Sequence, residues 1–197
     1  MMMTRKRRRV RAADDEPVET EADADNVVER DGTCVYFYSD VSRSTVCKLY
    51  KLLREAATQA MGGDVYLYIH SNGGDAYSGL SALDHLRAFR GGTIVTIADG
   101  FVASAATFLL LGGERRLAMP HSHVLIHQMS GMLWGKYDEM KDEIKNSTSL
   151  MKSMTEVYTS LTRMPEETVC RLLKNEVSLD ARKCVKLGIV DSLEWAR

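Results

Sequence analysis

The stretch VYLYIHSNGGDAYSGLSALDHLRAFRGGTIVTIADGFVASAATFLLLGG, Val65 to Gly113, decides the fold. Val65–Ile69 is apolar on both faces, which suits a strand covered by helices on each side. Gly73-Gly74 turns the chain into a helix around Tyr77–Phe89, and Gly91-Gly92 ends it. Thr93–Ala98 reads as a second buried strand, followed by an apolar helix over Ala103–Leu111 that Gly112-Gly113 closes. This strand–helix–strand–helix alternation predicts an α/β fold with a mainly parallel sheet.

The same grammar extends outward. Upstream, Val35–Tyr38 is a short strand. Asp40 or Ser42 can cap a helix whose apolar positions Val46, Leu49, Tyr50, Leu53 and Ala57 fall at helical spacing, and Met61-Gly62-Gly63 stops it. Downstream, Arg115–Met119 and His123–His127 are strand candidates. Lys136–Arg163 carries the longest helical signal, with Tyr137, Met140, Ile144, Met151, Met154, Tyr158 and Leu161 in an apolar stripe. Such a stripe means core or interface rather than a cofactor box. Pro165 can start a helix over Glu166–Leu173. Val177–Leu179 is extended, Ala181–Leu187 is a last helix stopped by Gly188, and Ile189–Leu193 closes the domain.

The chain has 197 residues, 45% of them apolar, which fits one domain with a real core plus a tail. A net charge of −1 gives no electrostatic case for nucleic acid or a membrane surface, and no apolar run is long enough to span a bilayer. Cys34, Cys47, Cys170 and Cys184 lack metal-type spacing and read as reduced thiols of an intracellular, cytoplasmic protein. Residues 1–32 differ in kind. Arg5-Lys-Arg-Arg-Arg9 and Arg11 are basic, while Asp14, Asp15, Glu16, Glu19, Glu21, Asp23, Asp25 and Glu29 are acidic. Without apolar periodicity this segment is expected to be a disordered tail, leaving 33–197 as the folded domain. No apolar core marks it as a secretory signal.

Two short runs look like parts of one catalytic site. In Gly100–Ala106, Ser104 sits where a strand gives way to a helix, near backbone N–H groups that the helix does not use. In Val124–Gln128, an apolar strand ends on His127, a residue that can take a serine's proton. A serine hydroxyl is a poor nucleophile without such a base. Ser71-Asn72-Gly73-Gly74 follows another apolar strand, and its glycines let the backbone turn or approach a substrate closely. His70, His85, His121 and His123 compete for the base role but read as strand end, helix face and loop. No Cys, Asp or Glu completes a metal set around His121, His123 and His127.

Four segments carry a resemblance: Val65–Gly74, Gly100–Gly113, Met119–Gln128 and Ala181–Asp191. In family order and near family spacing, they make the chain similar to the proteolytic subunit of the Clp protease (ClpP), a self-compartmentalised serine peptidase, from roughly Val35 to Leu193. The resemblance implies a ClpP/crotonase-type curved sheet surrounded by helices, with the long helix projecting as a handle. It implies serine endopeptidase activity on unfolded or extended polypeptides through an acyl-enzyme, with Ser104 as nucleophile and His127 as base. Gly73, Gly74 and Ala105 would form the oxyanion and substrate-binding backbone, the N–H groups of Gly74 and Ala105 facing the oxyanion. No metal or organic cofactor is implied.

The resemblance also implies a homo-oligomeric ring or stacked rings and an AAA+ unfoldase as partner. Its third catalytic residue aligns with Glu176; Asp180 is the second candidate, and a site without an acid stays open. Three features depart from the family pattern. Lys174-Asn175 stands where an Asp-Arg pair is usual, Met129–Gly135 lacks the usual proline and glycine-rich run, and the N-terminal segment is unlike the family's axial loops. Assembly and ATPase partnership are therefore weaker implications than chemistry. Two other readings remain: a catalytically silent ring subunit and a crotonase-type acyl-CoA-binding protein.

Overall fold

A computed structural model describes residues 26–132 and 134–194. Strands β1 (Val27–Asp31) and β2 (Cys34–Tyr38) form an antiparallel hairpin, with Gly32 at φ +59° in its turn. The fold thus begins six residues ahead of the boundary expected at residue 33. Val28 is fully buried, and Arg30 donates to the Gln59 side chain while pairing with Glu55. Acidic neighbours masked this strand in the sequence. The expected tail, up to residue 25, lies outside the described residues.

Helix α1 (Arg43–Ala60) starts on a capping box. Thr45 N–H donates to Ser42 Oγ at 3.2 Å, and Ser42 N–H donates to Thr45 Oγ1 at 2.9 Å. Its buried residues Val46, Leu49, Leu53 and Ala56 recur every three or four positions and lie against the sheet. Next come β3 (Asp64–Ser71), α2 (Ala76–Arg87), β4 (Thr93–Ala103) and the short α3 (Ala106–Leu111). Strands β2, β3 and β4 are parallel neighbours. Strand β3 is not covered equally on both faces. Val65, Leu67 and Ile69 are in the main core, while Tyr66 and Tyr68 are half-buried on the other face, beside a small cluster of Val95, Ile97 and Leu117.

Strand β4 differs most from its sequence reading. It does not stop at Ala98, and the helix does not begin at Ala103. The β3–β4 register shifts between Ile69↔Ala98 and Ser71↔Val102, so β4 absorbs extra residues at a bulge around Asp99-Gly100. Gly100 has φ +69°, and a Cβ there would lie 2.5 Å from His70 Nδ1. The bulge gives β4 two partners: its first half pairs in parallel with β5 (Arg115–Ala118), its second half with β6 (His123–Leu125).

The C-terminal part matches expectation closely. Helix α4 (Tyr137–Leu161) spans 25 residues, about 37 Å at 1.5 Å per residue. It buries only Leu150, Met154 and Tyr158, all in its second half, so its first half projects from the domain. Helix α5 (Glu166–Leu173) follows Pro165; β7 (Leu179–Asp180), α6 (Ala181–Leu187) and β8 (Ser192–Leu193) complete the chain. The sheet order is β1-β2-β3-β4-β5-β8, with β6 on β4 and β7 antiparallel to β6. Asp191 ties β8 to β5: its carboxylate accepts from Arg116 N–H at 2.8 Å, and its own N–H donates to Arg116 O at 2.7 Å. The architecture is mixed α/β, a mostly parallel sheet among helices. No helix among the described residues is long and apolar enough to cross a membrane.

Candidate active site

Ser104 lies between the end of β4 and the start of α3, at φ +53°. A non-glycine residue in this left-handed region costs about 1–2 kcal/mol, so its surroundings must hold it there. They do. Ser104 N–H donates to Leu125 O of β6 at 2.9 Å, and Ser104 O accepts from Thr107 N–H at 3.0 Å and from Thr107 Oγ1 at 2.6 Å. The side chain is thereby presented at the C-terminal edge of the parallel strands, where ligands of open α/β sheets bind. The serine stands in a strained turn ahead of α3, not in a helix's first turn.

The glycine turn after β3 meets this serine directly. Gly73 has φ +102°, and a Cβ on it would lie 2.6 Å from Ser104 Cβ, 2.8 Å from Ala103 O and 3.1 Å from Ala105 N. Gly74 has φ +141°, and its Cβ would lie 2.4 Å from Val41 O. Both positions require glycine on two counts, backbone conformation and space. Val41 clamps the turn: its N–H donates to Gly73 O at 2.7 Å, and its carbonyl accepts from Asp75 N–H at 2.8 Å. Asp75 then caps α2, accepting from Ser78 N–H at 2.8 Å. Neither Gly74 N–H nor Ala105 N–H has an acceptor among the described residues. Two backbone donors are therefore free, one on the residue after Ser104 and one on the residue after Gly73, the glycine that meets Ser104. Val41 was not foreseen, because an isolated valine before a helix cap carries no sequence signal.

His127 follows β6, two residues beyond Leu125, the register partner of Ala103. Ser104 and His127 thus leave adjacent parallel strands at the same end. Gln128 N–H donates to Leu173 O at 2.7 Å, which fixes the chain just past the histidine. The His127 side chain is 19% exposed, and its Nδ1 is 4.0 Å from Glu176 Oε1. Ser104 Oγ and the imidazole are not hydrogen-bonded here. Catalytic pairs are often long before substrate binds and tighten in the complex.

The register separates the two acid candidates. Strand β7 pairs antiparallel with β6 as His123↔Asp180 and Val124↔Leu179. Continuing that register places Glu176 across from His127. Asp180 sits four residues away, opposite His123, and its Oδ1 accepts from Lys183 N–H at 2.9 Å as the cap of α6. Its carboxylate is committed to the helix. Glu176, 81% exposed at its side chain, has freedom to reach the ring.

The other histidines lie elsewhere. His70 packs under Gly100, His85 stacks on Tyr50 with ring centroids 3.7 Å apart, and His123 Nδ1 is 3.5 Å from Ser178 Oγ. Burial, with Arg54 nearby, pushes His85 below the ordinary imidazole range. Beside the site, Tyr158 of the apolar stripe meets a buried partner that the sequence reading does not give it. Thr107 interrupts the apolar run Ala105–Leu111, and its hydroxyl lies 2.7 Å from Tyr158 OH of α4. A lone threonine in a fully buried helix is the sequence signal that could have found it, since a buried hydroxyl needs a partner.

The family model described as Clp protease matches residues 22–195. A relative from Pleurastrum terricola, named ATP-dependent Clp protease proteolytic subunit, is 32% identical over 154 residues, covering 77% of this chain and 78% of its own. Proteins of the same name from Ostreococcus tauri and Pinus contorta are 37% identical over 129 residues and 32% identical over 178 residues. These alignments cover 64% of both chains for the first, and 83% of this chain and 86% of the relative for the second. The chain belongs to the Clp protease family, whose members are serine-type peptidases.

Proposed function

We propose that this chain cleaves unfolded or extended polypeptides by serine acyl transfer, with Ser104, His127 and Glu176 as its catalytic residues. The observation that carries this reading is Ser104 held in a left-handed turn against Gly73, with the N–H groups of the next residues along, Ala105 and Gly74, both free. Ser104 Oγ attacks the peptide carbonyl while His127 takes the hydroxyl proton. The carbonyl oxygen becomes an oxyanion that accepts from Gly74 N–H and Ala105 N–H. His127 returns the proton to the leaving amine, and an acyl-enzyme forms. Water, deprotonated by His127, then attacks the ester, and His127 gives that proton to Ser104 Oγ as the carboxylic acid product leaves. Glu176 orients the ring and offsets the charge of the imidazolium.

The relatives' name, ATP-dependent Clp protease proteolytic subunit, supports an ATP-driven unfoldase as partner and a ring of copies as the working form. The four unpaired cysteines support an intracellular compartment, the cytoplasm being the expectation from the sequence. A catalytically silent ring subunit is the second reading, favoured by the unjoined Ser104 and His127 and by the exposure of Glu176. One experiment separates them. A serine-directed fluorophosphonate should modify Ser104 alone in the wild-type protein. Ser104→Ala and His127→Ala should each lose labelling and peptide hydrolysis while remaining folded. Hydrolysis that persists in purified Ser104→Ala would overturn the assignment, and a folded, assembled wild type that never labels would favour the silent subunit.

A further inference from the structure

Thr107 and Tyr158 lie behind the catalytic serine, both with no exposed surface. The Thr107 hydroxyl has one proton and two close oxygens, Ser104 O at 2.6 Å and Tyr158 OH at 2.7 Å. Ser104 O is a carbonyl and can only accept, so the threonine proton goes there. Thr107 Oγ1 must then accept from the tyrosine O–H. The chain of bonds has one direction, from Tyr158 to Thr107 to Ser104 O. Burial pushes the Tyr158 phenol above its ordinary range, so it keeps the proton that this direction needs. Phe108 packs on the Tyr158 ring at 5.4 Å and helps hold it.

Ser104 C=O and Ala105 N–H are the two edges of one planar peptide unit, and no described peptide bond is cis. In a trans unit they point in opposite directions. Whatever anchors the carbonyl therefore aims the N–H. Thr107 anchors it twice, through its N–H at 3.0 Å and its hydroxyl at 2.6 Å. Ala105 N then faces the glycine turn, 3.1 Å from where a Gly73 Cβ would be. We propose that Thr107 and Tyr158 are positioning residues that aim the Ala105 N–H at the oxyanion, and that they tie this aim to the buried half of α4. The inference rests on Ser104 being the nucleophile.

An oxyanion donor acts mainly in the transition state, so its misalignment lowers kcat and leaves KM nearly unchanged. Thr107→Val and Tyr158→Phe should each reduce kcat roughly 5- to 30-fold, the loss expected of one well-placed buried hydrogen bond. Thr107→Ser should restore most of it. A merely structural pair behaves differently. Thr107→Val leaves the buried Tyr158 hydroxyl without an acceptor, whereas the double variant Thr107→Val/Tyr158→Phe removes both hydroxyls and should recover thermal stability. Under the proposal its kcat, counted per Ser104 titrated with fluorophosphonate, stays as low as that of Thr107→Val. If kcat returns with stability, or if Thr107→Val turns over at the wild-type rate, the positioning role is wrong. A wild type that is not labelled at Ser104 instead removes the nucleophile reading, and this inference with it.

Discussion

At the residue scale, the site is built from positions whose conformations suit few other amino acids. Gly73 is the sharpest case: the backbone has φ +102° and the space for a Cβ is already occupied by Ser104 and Ala103. Gly73→Ala should push the turn away from the serine and lower kcat/KM by on the order of 10² or more, as expected when a neighbouring oxyanion donor is displaced. Gly131→Ala, with nothing within 4 Å of the added carbon, is the matched control and should leave activity unchanged. Glu176 poses the opposite problem, an exposed carboxylate 4.0 Å from the imidazole. Solvent screens such a charge, so Glu176→Gln should cost less than the loss of about 10⁴ seen for a buried triad acid, on the order of 10 to 10² in kcat. Glu176→Asp should keep substantial activity. Asp180→Asn should keep activity and stability alike, because asparagine caps a helix as well as aspartate does. If Asp180→Asn silences the enzyme and Glu176→Gln does not, the register argument for the acid is wrong.

At the element scale, most of the fold could be read from punctuation and period. The helices over Glu166–Leu173 and Ala181–Leu187 begin and end where the sequence puts them, because Pro165 and Gly188 are unambiguous local signals. The long helix is within two residues of its expected ends for the same reason: its apolar positions keep their spacing over many turns. What was not legible depends on partners far along the chain. The extension of β4 to Ala103 needs β6 beside it, and the double alternation in Tyr66 and Tyr68 conceals which face the helices cover. Ser104 and His127 were legible as a nucleophile type and a base type, each just past the end of an apolar strand. The Val41 clamp and the Thr107–Tyr158 bond were not, since each joins segments more than thirty residues apart.

Strand β1 was missed because its acidic setting resembled a solvated run. It supplies a clear test. Removing residues 1–25 should leave the thermal midpoint nearly unchanged, since the hairpin begins at Val27. Removing residues 1–31 strips β1 from β2, deletes the buried Val28 and uncovers its register partner Phe37, which has no exposed surface. Losing the burial of one such side chain and the cover of the other costs about 1.5–3 kcal/mol each at most, so the longer truncation should melt several degrees lower or fail to fold. Equal melting of the two truncations would show that β1 contributes nothing.

At the scale of the whole molecule, the isolated chain leaves surface that asks for cover. The first half of α4 stands clear of the domain, with Tyr137 71% and Ile144 53% exposed and its charged residues paired along the helix, Lys141 with Asp138 and Lys145 with Asp142. A projecting half-helix that keeps apolar residues at helical spacing, yet buries none of them at home, is suited to a second copy of itself. The particle in solution should then be a ring, six or seven copies by family resemblance, or two such rings joined through these helices. Native mass spectrometry at micromolar concentration should show that species and no appreciable monomer. Ile144→Asp tests the joint without touching the core, since aspartate in an exposed helix position costs under about 1 kcal/mol. It should halve the mass of a double ring, or leave a single ring intact if the helices join nothing, while the far-ultraviolet spectrum stays the same. A fully active wild-type monomer would remove the enclosed chamber from this reading and leave Ser104 open to any extended polypeptide in solution.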